Sequence, residues 1–184
     1  SKDSGSEDAI AYVIQSGLGL PDEAYYREEA HAETLSAYEK HVAEMLEFLD
    51  PARLFGLGAE VAAHRIVALE KELAAGHWDV VSTRDAVKTY NPCEFSELPT
   101  MTRALLSGGN LPEHRVVNMM PSYLEHFESL FTTARMADWQ LWATWHILRS
   151  RAAMLPEEVG AKNFEFYGTK LSGATQQRDR WKRA

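Results

Sequence analysis

Apolar residues recur at helical spacing over most of this chain, and at strand-like density in only two short stretches. The strongest helical pattern lies over 137–153 (ADWQLWATWHILRSRAA). Trp139, Trp142 and Trp145 follow one another three residues apart, and Leu141, Leu148 and Ala152 extend the apolar surface. A tryptophan can bury roughly 150–250 Å², so this segment is expected to be the hub of the core. Asp138, His146, Arg149 and Arg151 stand beside it as a polar edge.

Other segments follow the same period. Pro21-Asp22-Glu23 has the character of a helix start, with carboxylates at the positive end, and Leu35, Tyr38, Val42, Met45, Leu46 and Leu49 continue one face as far as Asp50-Pro51. Residues 58–75 carry Val61, Ala62, Ile66, Leu69 and Leu73, and Gly76 stops them. Residues 77–98 are less periodic and predict turns and short helical pieces. A short helix is expected over 99–106, broken by Ser107-Gly108-Gly109-Asn110. Pro121 opens a helix with Tyr123, Leu124, Phe127, Leu130 and Phe131, and Pro156 separates the tryptophan segment from a last helix bearing Val159, Phe164, Phe166 and Tyr167.

The two strand-like stretches are 10–17 and 115–119. Paired, they would make a ribbon on a helical body. The expected fold is therefore mainly α, an irregular multi-helix domain with one short two-stranded β ribbon, and residues 1–184 are expected to form a single domain.

Composition narrows the function classes. A net charge of −8 argues against non-specific binding to nucleic acid or acidic membranes. Cys93 is the one cysteine, which rules out an internal disulfide and suits a reducing compartment. No apolar run approaches the roughly 18 residues of a membrane span. Residues 1–8 (SKDSGSED) are a polar lead-in without signal-peptide character.

Candidate chemistry is sparse. His31 and His41 are ten residues apart on one helix and share no adjacent turn. Glu60 and His64 have i,i+4 spacing, which holds a metal but also makes a routine helix pair. Glu125-His126 and His146 have no second ligand at useful spacing, and no H-E-x-x-H occurs. Cys93 follows a proline with no histidine near in sequence, so an inert thiol is expected. Gly17-x-Gly19 and Gly108-Gly109 lack the rest of a phosphate-cradling loop and suit turns. The tail, with Arg178, Arg180, Lys182 and Arg183 around Trp181, is interrupted by Asp179 and suits a helix end or domain junction better than a nucleic-acid contact.

Several stretches together resemble the neprilysin family of zinc metallopeptidases. They are Gln15-Ser16-Gly17-Leu18-Gly19-Leu20-Pro21 with Tyr25-Tyr26, Ala68-Leu69-Glu70-Lys71-Glu72-Leu73, and Arg84-Asp85 with Tyr90-Asn91-Pro92. Residues 116–123 (VVNMMPSY) follow, and then Phe166-Tyr167-Gly168, Leu171-Ser172-Gly173 and Arg180-Trp181-Lys182-Arg183. The resemblance covers nearly the whole chain in the expected order. It implies part of the amino-terminal helical region, which in that family caps the catalytic domain and restricts the active site to oligopeptides. It also implies that the zinc ligands and catalytic groups lie in the catalytic domain, as a fragment's partner. Catalytic, cofactor-binding and metal residues are thus all expected to be none in this chain, with zinc in the parent protein. The lone Cys93 favours a bacterial-type, cytoplasmic relative. The rival expectation is a stand-alone helical module that binds a protein or peptide.

Overall fold

A computed structural model describes residues 10–110 and 114–176, which leaves the basic tail at 178–183 and the lead-in at 1–8 outside the described residues. The chain divides into two compact units. Unit 1 is drawn from Ser1–Ala24 and Glu72–Arg135, unit 2 from Tyr25–Lys71 and Met136–Ala184.

Unit 1 holds the sheet. Strands β1 (Ala11–Val13), β2 (Pro92–Cys93) and β3 (Val116–Asn118) are ordered β1-β3-β2. The two stretches expected to be strands do pair, in parallel, with Tyr12 opposite Val117. The ribbon gains a third strand, β2, antiparallel to β3, with Cys93 opposite Val116. Pro92 hid it, because proline reads as a turn signal, yet at a sheet edge its missing N–H breaks no ladder. Val116 and Val117 are buried, and Met120, Tyr123 and Leu124 carry that core into helix α5 (Pro121–Leu130).

The segment after β1 is fastened by side chains acting as backbone. Gln15 donates from Nε2 to the Trp78 carbonyl at 2.9 Å and accepts at Oε1 from the Trp78 N–H at 2.8 Å. Tyr123 donates its hydroxyl to the Ser16 carbonyl at 2.6 Å, and burial pushes this phenol up to about 12. Gly17 then turns the chain with φ +100°, a left-handed conformation that suits glycine.

Unit 2 is helical. It contains most of α1 (Ala24–Arg27), then α2 (Ala32–Leu46), most of α3 (Ala59–Ala75), and α6 (Met136–Arg151) and α7 (Glu157–Phe164). The helix expected from Pro21 to Asp50 is interrupted: Glu28 is extended, with φ −88° and ψ 134°, and a 3₁₀ turn, Glu29–His31, precedes α2. No proline or glycine marks this break. α7 continues into a π-helical turn, Glu165–Leu171. There Gly168 leaves room for the Phe164 ring, which a Cβ would meet at 2.2 Å. In unit 1, helix α4 (Thr100–Gly108) extends two residues past the expected end before Gly109 closes it. The mainly α architecture therefore holds, with a three-stranded rather than two-stranded sheet.

Candidate functional site

The polar centre of unit 2 is a glutamate on an apolar face. Ile66, Glu70 and Leu73 follow at i, i+4, i+7 along α3, so the helix that buries its neighbours also buries Glu70, which is 0% exposed. A carboxylate without partners would not be retained there. Its Oε2 accepts from the Tyr26 hydroxyl at 2.6 Å; its Oε1 takes the Tyr38 hydroxyl at 3.1 Å and meets His146 Nε2 at 2.8 Å. The chain of bonds goes on outward. Trp145 donates its indole N–H to the Tyr38 oxygen at 2.8 Å, and Tyr167 is hydrogen-bonded to Tyr38 as well. Arg149 lies over the Tyr167 ring at 4.4 Å.

The surroundings shift these groups in a consistent way. Burial, then the Glu70 charge, raises the Tyr38 phenol well above its ordinary range. Burial does the same to Tyr167, with the Arg149 charge opposing it. Both phenols are therefore held as hydrogen-bond donors. Glu70, with both oxygens engaged, acts as an acceptor that fixes three helices' side chains.

A second feature of unit 2 is His41. It is 4% exposed, stacked on Phe166 with ring centres 4.8 Å apart and edge-on to Trp145 at 5.7 Å. Burial lowers its pKa to about 4, against smaller raising contributions from Asn163 and Glu44. Asn163 favours the charged ring, yet neither His41 Nε2 nor Asn163 Oδ1 closes a hydrogen bond of normal geometry.

The remaining candidates disperse. His64 pairs with Glu39 at 3.0 Å on the surface rather than with Glu60. His31 stacks on Tyr25 at 4.2 Å. His126 is 2.7 Å from the Glu72 carbonyl and packs over Gly76, where a Cβ would stand 2.2 Å from its ring; Glu125 is exposed. Asp138 accepts from Arg65 at 2.6 Å, and Arg151 is exposed. Cys93 is partly buried in β2, and burial raises its thiol. Of the tryptophans, Trp145 is 0% and Trp139 5% exposed, whereas Trp142 is only half-buried, edge-on to Trp139 at 5.5 Å.

The described residues do not fit a zinc ion. Among them no three of His, Cys, Asp and Glu come together in a way that could hold a metal. Glu70 and His146 are two, and the glutamate's oxygens already serve the tyrosines. No helix among the described residues is long and apolar enough to cross a membrane.

The fold and the buried carboxylate cluster define a mainly helical domain whose described residues show no metal-binding group. The profile of peptidase family M13 matches residues 1–184, and the chain belongs to that family, as its amino-terminal domain. The resemblance to the neprilysin family is thereby met: Neprilysin-2 of Drosophila melanogaster is 28% identical, with 91% of this chain and 22% of that protein covered. Solved structures of the zinc metalloprotease Zmp1 of Mycobacterium tuberculosis are similar throughout. An open-state structure has 43% identity and a TM-score of 0.77, covering 92% of this chain and 27% of that one. An inhibitor complex has 42% and 0.80 over the same shares. A partial open state has 41% and 0.78, covering 100% and 29%. The chain thus spans less than a third of the relatives it matches.

Proposed function

We propose that this chain is the non-catalytic, capping region of a zinc metalloendopeptidase. Its helices would wall one side of the active-site cavity and limit substrates to oligopeptides. The observation that supports this most is the match of the whole chain to the M13 amino-terminal domain, with Zmp1 similar over 92% of this chain. The implied partner is the catalytic domain of the same polypeptide, which would hold the zinc; the residues described in this chain do not suit that ion. The single Cys93 and the bacterial relative favour a cytoplasmic setting.

The test compares a full-length M13 polypeptide containing this chain with residues 1–184 alone. The full polypeptide should cleave a quenched oligopeptide and lose that activity on chelation, whereas residues 1–184 with added zinc should not cleave it. Turnover by the short chain would overturn the non-catalytic reading. The cap is tested separately, by placing the same cleavable peptide in an exposed loop of a folded carrier. Equal cleavage of free and carrier-held peptide would remove the size-limiting role and leave the peptidase assignment standing.

A further inference from the structure

The hairpin of α2 and α3 turns at its tip through a strained residue. Asp50 opens a 3₁₀ turn, Pro51–Leu54, by accepting from the Ala52 N–H at 2.9 Å. Leu54 is buried and ties this turn to the core. The next residue, Phe55, takes φ 55° and ψ 32°, the left-handed region that L side chains rarely adopt. Among the described residues the other non-glycine position with positive φ is Asn110, a type that tolerates it; a bulky ring does so at a cost. Strain of this kind persists where the structure around it enforces it. Here the backbone does so, as the N–H groups of Phe55 and Gly56 close onto the Ala52 and Pro51 carbonyls, each at 3.3 Å.

The ring gains little from its own chain, since Phe55 is 55% exposed. Phe48, two residues past α2, and Val61, in the first turn of α3, are 42% and 53% exposed. Single exposed apolar residues are ordinary, but a group of them rimmed by charge marks an interaction surface. The rim is acidic: Glu47, Asp50 and Glu60 are exposed, and Arg53 is the one cation between residues 47 and 61.

That charge decides what the tip can meet. A second copy docking tip to tip about a two-fold axis would set the carboxylates against themselves. An anionic lipid surface would repel them. A protein surface with an apolar recess and a basic rim suits both the rings and the charge. The chain covers 27% of the open-state Zmp1 chain, so most of such a polypeptide lies outside it and can offer that surface without a second molecule.

We propose that Phe55, together with Phe48 and Val61, docks into a Lys- or Arg-rimmed apolar recess on the remainder of the same M13 polypeptide. The inference rests on the reading of this chain as one region of a longer peptidase. Docking takes the ring out of water and so offsets the strained turn that presents it.

The experiment is hydroxyl-radical labelling of the full-length M13 polypeptide containing this chain, read residue by residue by mass spectrometry. Phe55 should react about tenfold more slowly than in the urea-unfolded polypeptide, as a side chain in a water-free recess does. A ring left 55% exposed should be slowed only about twofold. Glu47→Lys with Glu60→Lys, both exposed positions, should raise the labelling of Phe55. Phe55→Asn keeps a residue suited to the left-handed turn and should uncover Phe48, raising its labelling in turn. Twofold slowing of Phe55, protection that ignores the charge reversal, unchanged Phe48 labelling in Phe55→Asn, or protection that fades on dilution, as for a second copy, would each overturn the docking. Cleavage of a quenched oligopeptide by the same parent is read separately. A parent that cleaves with Phe55 uncovered overturns the docking alone, whereas one that protects Phe55 without cleaving keeps the docking and fails the peptidase reading.

Discussion

The two units solve the problem of a small core differently. Unit 1 relies on close approach: Gly76 lets the His126 ring lie on the backbone, and Gln15 pairs with Trp78 as a strand would. Its polar contacts are mostly to main-chain atoms, so each ties one side chain to one stretch of backbone. Unit 2 instead buries side-chain polar groups on one another, with Glu70 taking Tyr26, Tyr38 and His146 and Tyr38 in turn taking Trp145. Damage in unit 1 should therefore stay local, while damage at any member of the unit 2 cluster should spread through it.

Breaking the hub tests that contrast most severely. Trp145→Ala removes a fully buried indole and a donor to Tyr38, and should cost about 3–5 kcal/mol in urea denaturation. Glu70→Ala leaves two hydroxyls and an imidazole without their acceptor and should cost about 3 kcal/mol, with Glu70→Gln losing less because it keeps an acceptor oxygen. A loss below about 1 kcal/mol for Glu70→Ala would show that the cluster is not what holds unit 2.

Acid provides a gentler probe. The folded-state pKa of His41, about 4, lies below the ordinary 6.5, so the fold favours the neutral ring. Its contribution is intact above about pH 6.5 and is lost as pH falls towards 4, by roughly 3 kcal/mol in total. His77 in unit 1, lowered chiefly by burial, moves in the same direction. Denaturation midpoints followed from pH 7 to pH 4 should fall less steeply in His41→Phe; parallel slopes would refute the assignment.

In unit 1, Gly76→Ala drives a methyl into the His126 ring and should cost about 1–3 kcal/mol, with hydrogen-exchange protection lost chiefly around α5. The smallest effect is expected at Trp142→Ala, about 1 kcal/mol, because that residue is only partly buried. If Trp142 proved as costly as Trp145, the burial contrast along α6 would be wrong.

That contrast also marks how far the sequence was legible. The helix over 137–153 was plain, but its three tryptophans were not equal members of one stripe. Each three-residue step falls about 60° short of a full turn, so of the three only Trp145 lies on the face of Leu141, Leu148 and Ala152. Trp142 stands on its flank, and Trp139, farther round still, is nevertheless buried, which the periodicity of α6 does not encode. Glu70 could have been found: it occupies the apolar register of Ile66 and Leu73, and a carboxylate there demands partners. His41 likewise sits in the register of Tyr38, Val42 and Met45. Which donors reach Glu70 depends on tertiary placement of Tyr26 and His146, which no local pattern encodes. The break at Glu28 was hidden for a similar reason, since the residues around it are ordinary helix formers.

The bond from Trp145 to Tyr38 has an optical consequence. The direction of donation runs from indole to phenol to carboxylate, so the emitting ring of Trp145 is wired to the charge on Glu70 through a single oxygen. An indole enclosed this completely should emit towards the blue, and loosening the cluster should move that emission to the red. Fluorescence difference spectra between the parent and Glu70→Gln would then report on the integrity of the cluster without any label.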